Sequence, residues 1–297
     1  MMRQLSLFEN TEKITNVMSV PLRSPFRYPG GKTWLVPRIR QWLTRGYAYS
    51  VGKAEFIEPF VGGGIVSLTV AFEQLADRVT MLEIDSEVAA VWQTLLKGSD
   101  RAWLAQRIST FNISPDAVNS VLDAVPVDLK EKAFQTILKN RVNRGGILAA
   151  GAGKIKRGEK NKGLESRWYP ETLKRRILNI EQICDRLTFI AGDGMEFLRK
   201  NARISNAVFF IDPPYTAAGK KAGSRLYTHW ELDHEELFRI SRTLSGDFLM
   251  TYDNVKEVRQ LADKFGLDTE TVPMKNTHHA KMTELLIGRN LDWVRSR

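Results

Sequence analysis

Short apolar runs alternate with amphipathic stretches along most of the chain. Glu55–Glu58 predicts a strand that runs into glycines, then a helix from about Gly64 to Leu75. Val79–Leu82 predicts a second strand. Ser86–Lys97 then places Val88, Val91, Trp92 and Leu95 on one face at helical spacing. Leu187–Ala191, Val208–Ile211, Phe248–Thr251 and Glu284–Gly288 are further β-rich runs. Strands separated by helices predict an α/β fold built on a doubly wound, mostly parallel sheet.

Residues 98–176 break this rhythm. They predict helices over Arg101–Phe111 and Val127–Asn140, followed by a glycine-rich basic loop at 145–163. This divides the chain into a polar tail (1–23), a core (24–97 and 177–297) and an insertion (98–176).

Composition adds limits. The chain has 297 residues, enough to bury a large core without disulfides. Cys184 is its single cysteine, which excludes an intrachain disulfide and a Cys-rich zinc site. His229, His234, His278 and His279 show no metal-ligand spacing, so no metal is expected. No apolar run approaches the ~18 residues of a membrane span, and the start lacks a signal-peptide core, so a cytoplasmic protein is expected. The formal charge is +10. Residues 139–176 hold twelve basic side chains against three acidic ones, a one-sided field suited to nucleic acid.

Three segments carry candidate chemistry. In FIEPFVGGG (56–64) a strand enters Gly62, Gly63 and Gly64, where backbone can approach a ligand closely. Glu83, 21 positions after Gly62, fits the acid that holds ribose hydroxyls. In VFFIDPPY (208–215) an apolar strand delivers Asp212, Pro213, Pro214 and Tyr215 to the carboxyl end of the sheet. The prolines fix the backbone and remove N–H donors. Asp212 and the Pro213 carbonyl then offer two acceptors to an exocyclic amino group, and Tyr215 a flat face for a base. In SPFRYPGGKT (24–33) the Walker pattern fails at Phe26, so nucleotide hydrolysis is rejected. There Lys32 suits a carboxylate and Tyr28 an adenine ring.

The order FRYPGGK, FIEPFVGGG, LEID, basic insertion, AGD, DPPY, KMTELL resembles the Dam-like, alpha-group DNA N6-adenine methyltransferases over about residues 24–290. The resemblance implies a class I, Rossmann-like methyltransferase core and the methyl donor S-adenosylmethionine. The acceptor it implies is adenine N6 in double-stranded DNA, reached by base flipping. By motif, Tyr28, Lys32, Phe60, Gly62, Gly64, Glu83 and Asp193 would line the cofactor, with Asp85 as the alternative to Glu83. Asp212, Pro213, Pro214 and Tyr215 would serve the target base, with Asp212 also beside the cofactor. Asn140 and Arg141 fit the family's Asn-Arg pair at the DNA. Relatives then carry an aromatic-Asn-Gly step where this chain has Arg144-Gly145-Gly146, so no target sequence transfers. Lys154, Lys156, Arg157, Lys160 and Lys162 are expected at phosphates. A bacterial or phage origin fits this family.

Three other classes stand beside this reading: an RNA or protein methyltransferase using DPPY chemistry, an amino-methylating cytosine enzyme, and a non-catalytic DNA-binding module. Separately, Gln4, Leu5, Ser6, Leu7 and Phe8 match the peptide by which bacterial replication and repair proteins dock on the sliding clamp.

Overall fold

The computed structural model describes residues 19–45, 55–214, 225–226, 228–229, 231–275 and 281–295. Seven strands form one sheet: β1 (Glu55–Glu58), β2 (Arg78–Glu83), β3 (Leu187–Ala191), β4 (Ala207–Ile211), β5 (Asp247–Asp253), β6 (Asp268–Lys275) and β7 (Lys281–Gly288). Their order is β3-β2-β1-β4-β5-β7-β6. The first five strands of that order run parallel, and β7 runs antiparallel to both neighbours. The doubly wound expectation holds, with β6 as an unpredicted edge strand of 8 residues beside β7.

The central strands β1, β2, β4 and β5 are buried along most of their length, and β4 reads as a continuous apolar run. Every residue of β4 is buried. Phe56 and Ile57, neighbours in β1, belong to the two apolar clusters on opposite faces of the sheet. The helices are α1 (Val36–Arg45), α2 (Ile65–Phe72), α3 (Ser86–Leu96), α4 (Gly98–Thr110), α5 (Pro115–Asp123), α6 (Leu129–Val142), α7 (Pro170–Asn179), α8 (Gly194–Asn201), α9 (His234–Thr243), α10 (Lys256–Lys264) and a last turn, α11 (Asp292–Arg295). Acidic and hydroxyl caps start many of them. Asp85, Ser114, Asp128, Asp193 and Asp233 each accept a first-turn N–H.

Helices α4 to α7 fill the 98–176 segment and share one apolar core with α1 to α3. Trp168 is buried edge-on against Phe111. Described residues of the expected 1–23 tail pack against the core. Val20 is buried, and Arg23 pairs with Glu73 at 2.9 Å. The Gln4–Phe8 peptide lies outside the described residues.

The chain order reverses between β1 and β4. A crevice opens at such a switch point, outside the carboxyl ends of the strands. Glu58–Gly64 and Asp212–Pro214 both emerge there.

Candidate active site

A cavity of about 990 Å³ occupies this crevice, within the size range of small-molecule sites. The glycine turn forms one wall. Gly62 and Gly64 sit at φ 45° and 63°, a region that favours glycine. A Cβ on Gly62 would lie 2.6 Å from the Tyr28 ring, and one on Gly64 2.5 Å from the Trp92 indole. The turn is therefore clamped between two aromatic rings. Trp92 Nε1 also donates to the Gly62 carbonyl at 3.0 Å.

Glu83 holds the turn from the other side. One of its carboxylate oxygens accepts the Gly62 N–H and the other the Asp85 N–H, each at 3.0 Å. Burial pushes its carboxyl up to about 7, against the pull of those backbone donors. Asp85 caps α3 through the Glu87 N–H at 2.8 Å, and Asp193 caps α8 through the Met195 N–H at 2.7 Å. All three acids line the cavity with Tyr28, Phe60 and the glycines. Gly194 lets the Asp193 turn close on β1, since a Cβ there would meet the Pro59 carbonyl at 2.3 Å.

Asp212 lies across the cavity. The register pairs Ile211 of β4 with Met250 of β5, so Asp212 leaves the sheet beside Thr251. The Thr251 hydroxyl donates to Asp212 Oδ1 at 2.7 Å, and Lys32 Nζ reaches the same oxygen at 2.9 Å. Lys32 is only 3% exposed, also donates to the Gly30 carbonyl, and lies 3.8 Å from Glu284 Oε2. Lys32 was expected to meet a ligand's carboxylate; it is engaged by two of the protein's own. Behind it, Glu58 accepts from the N–H and hydroxyl of Ser67. Burial pushes Glu58 up to about 8, opposed by Ser67 and raised further by Asp212. Asp253 is also raised by burial, with Lys32 pulling it down and Asp212 pushing it up.

This arrangement fits S-adenosylmethionine. Clamped glycine backbone, cavity-facing acids at the ends of β2 and β3, and lining carboxylates that outnumber the lining Lys and Arg side chains suit a nucleoside that carries a cationic sulfur. Pro213 and Pro214 line the same cavity, while Tyr215 lies outside the described residues. No group of His, Cys, Asp and Glu side chains able to hold a metal occurs among the described residues.

The insertion departs from expectation at its Asn-Arg pair. Asn140 is fully buried. Its side chain accepts the Arg27 N–H and donates to the Arg27 carbonyl, both at 2.9 Å, and to the Gly146 carbonyl at 2.6 Å. Arg141 is 4% exposed and donates to the Pro25 carbonyl. Both side chains tie α6 to the FRYPGGK segment instead of facing outward. Arg144, Lys154, Lys156, Arg157, Lys160 and Lys162 are exposed on the loop that follows. Lys154 donates to Asn119 Oδ1 at 2.5 Å. Gly146, at φ 76°, could carry no Cβ without striking the Arg27 carbonyl.

Glu58, Thr251 and Glu284 were not singled out by residue pattern, although Glu58 and Glu284 stand inside the quoted FIEPF and KMTELL segments.

Comparison with known proteins places this geometry. Residues 28–275 match the model of the D12 class N6 adenine-specific DNA methyltransferases. A type II methyltransferase, M.MjaIII, of Methanocaldococcus jannaschii is 21% identical over 237 residues, covering 73% of this chain and 78% of that protein. A DNA N-6-adenine-methyltransferase of Escherichia phage P1 is 23% identical over 266 residues, covering 84% of this chain but 32% of that protein. Among solved structures, one described as an RNA methyltransferase of Pyrococcus horikoshii superposes with a TM-score of 0.41 at 12% identity, covering 90% of this chain and 88% of that one. No described helix is long and apolar enough to cross a membrane. The chain belongs to the D12 class of N6 adenine-specific DNA methyltransferases.

Proposed function

We propose that the crevice between the glycine turn and Asp212-Pro213-Pro214 transfers methyl groups to N6 of an adenine flipped out of duplex DNA. The observation that carries this reading is the double anchoring of Asp212 Oδ1 by Lys32 and Thr251 at the wall of the cavity. S-adenosylmethionine supplies a methyl group on a positively charged sulfur, already a good leaving group. The protein's task is then largely positioning.

Asp212 and the Pro213 carbonyl accept the two N6 hydrogens, which turns the nitrogen lone pair toward the methyl group. Asp212 is the acceptor for the proton that N6 sheds. Lys32 offsets its charge and, with Thr251, restricts its rotation. Tyr215 replaces part of the stacking lost on flipping. Tyr28, Phe60, Gly62, Gly64, Glu83, Asp85 and Asp193 form the donor's wall, Glu83 indirectly by holding the turn. Arg144, Lys154, Lys156, Arg157, Lys160 and Lys162 face the duplex.

Asp212→Ala tests the assignment. It should abolish labelled methyl transfer to duplex DNA while much of the DNA affinity remains. Wild-type turnover of that variant at saturating donor and DNA would overturn it, and preferential methylation of RNA by the wild type would redirect it.

A second reading concerns the tail and rests on sequence alone. Leu7 and Phe8 would fill an apolar pocket of a bacterial sliding clamp, each worth roughly 1.5–3 kcal/mol if fully buried, holding the enzyme near newly replicated DNA. Replacing both with alanine should abolish clamp binding and leave methylation of short duplexes intact. Equal clamp binding by wild type and double variant, or none by either, would overturn it.

A further inference from the structure

A second concavity, of about 360 Å³, is lined by Arg144, Ile155, Lys156, Arg157 and Gly158. Gly145, the residue after Arg144, lines the active-site cavity, so adjacent residues of one turn serve both hollows. Backbone pairing fixes the walls. Residues 142–144 run antiparallel to 153–155. The Arg144 N–H donates to the Gly153 carbonyl at 2.9 Å, the Ile155 N–H donates to the Val142 carbonyl at 2.8 Å, and Asn143 bridges Lys154. The turn that follows is closed by the Gly163 N–H on the Arg157 carbonyl at 2.7 Å. Gly158, at φ 63°, packs so tightly on buried Ser166 that a Cβ there would strike the Ser166 hydroxyl and the Gly163 carbonyl. Arg144 and Arg157 are thus carried on two tied turns of backbone.

The side chains around this hollow offer one kind of polar group. Arginine and lysine donate hydrogen bonds and accept none. Half-buried Ile155 adds an apolar surface. Arg144, Lys156 and Arg157 are exposed and make no side-chain hydrogen bond or ion pair among the described residues, whereas Lys154 on the same loop is held by Asn119. The base edges of the major groove differ in what they require. Guanine presents two acceptors, N7 and O6. Adenine presents an acceptor and a donor, thymine an acceptor and a methyl group, and cytosine a donor. A wall of donors alone matches guanine. A phosphate is also all acceptor, but it gains nothing from an apolar wall, and the flexible lysines of the same loop can serve it as point charges. Two rigid guanidinium forks on anchored backbone suit the flat edge of a base.

We propose that Arg144 and Arg157 together read a guanine close to the flipped adenine. This rests on the DNA adenine methyltransferase reading and names what the insertion recognises. Arg157, expected at a phosphate from sequence, moves to the base edge beside Arg144. Lys156, a compact charge on a flexible stem, serves a neighbouring phosphate.

Sequencing of methylated adenines in DNA treated with wild type and with Arg157→Ala tests this. Wild-type sites should share a guanine at one fixed position from the methylated adenine. Arg157→Ala should lower the preference for that guanine by roughly 5- to 100-fold. A duplex with a deazaguanine that lacks the N7 acceptor at this position should be methylated more slowly than the natural duplex by wild type, with a smaller difference in Arg157→Ala. A role in folding alone would not move that difference. A wild-type map with no fixed guanine would overturn the proposal, as would a site preference unchanged in Arg157→Ala. An unchanged preference with the slope of log K against log salt reduced by about 0.9 would make Arg157 a phosphate contact instead. Wild type that neither binds nor methylates duplex DNA would overturn the parent reading as well.

Discussion

The hydroxyl of fully buried Thr251 lies 2.7 Å from Oδ1 of Asp212, joining the first residue past one strand's last paired position to the interior of its neighbour. Lys32 approaches the same oxygen from the other end of the chain. Thr251 makes no approach to the cavity, so its effect on catalysis passes through Asp212. Thr251→Val keeps the shape of the side chain and removes the donor. A hydrogen bond to a charged group contributes about 1.5–3 kcal/mol. If it is felt in the transition state, kcat should fall by roughly 10- to 100-fold. The KM for DNA should change little. Steady-state kinetics at saturating donor separates the two, and a variant with raised KM and normal kcat would contradict the positioning role.

Glu58 and Glu83 make the fold sensitive to alkali. Burial raises the first to about 8 and the second to about 7, from an ordinary value of 4.5. Each therefore binds its proton more tightly folded than unfolded. Their contribution to stability is fully present below pH 4.5 and is lost as pH rises through 7 and then 8. Glu58→Gln removes one of these titrations and keeps an acceptor for Ser67. Denaturant unfolding of the protein without donor, at pH 6 and pH 9, should show a smaller loss of stability in the variant than in wild type. Parallel pH dependence in the two proteins would contradict the buried, proton-holding state of Glu58.

Much of this architecture was legible from local pattern. The bounds of Glu55–Glu58 and Leu187–Ala191 match the β-rich runs of the sequence, and Ala207–Ile211, buried at every residue, is the continuous apolar run that a central parallel strand requires. β6 was not legible. Its sequence DTETVPMK is polar and contains Pro273, which only an edge strand tolerates. The site divides in the same way. Gly62, Glu83, Asp193 and Asp212 stand at strand ends that short motifs mark. Thr251 and Glu284 reach the site only through sheet register: Thr251 lies 39 residues from Asp212, and Glu284 faces Asp253 across the β5–β7 pairing. Asn140 and Arg141 sit in a basic stretch that reads as surface. Their burial comes from contacts with residues more than a hundred positions away.

Asn140→Ala distinguishes that buried role from a DNA-facing one. It strands the Arg27 N–H and two carbonyls inside the protein. Buried groups left unpaired cost about 1–3 kcal/mol each. Stability to denaturant should fall by about 2–4 kcal/mol after partial relaxation, with the salt slope of DNA binding unchanged. A normal unfolding midpoint with weakened DNA binding would return Asn140 to the interface.

Arg144 makes the last prediction. It is exposed at a tight turn whose next residue, Gly145, lines the cavity, and its N–H is tied to the Gly153 carbonyl at 2.9 Å. That bond to the backbone survives a change of side chain, so Arg144→Ala should leave the turn intact. On the proposed DNA-facing reading, the side chain would then act by what it contacts in the duplex. A guanidinium that reads a base edge contributes about 1–3 kcal/mol of discrimination, whereas a lysine at a phosphate weakens all sequences alike. Arg144→Ala should therefore narrow the ratio between preferred and other adenine sites by roughly 5- to 100-fold. Lys156→Ala should lower affinity for every site and leave that ratio unchanged. Sequencing methylated adenines in DNA treated with each variant reads both outcomes, and an unchanged site preference in Arg144→Ala would remove it from sequence recognition.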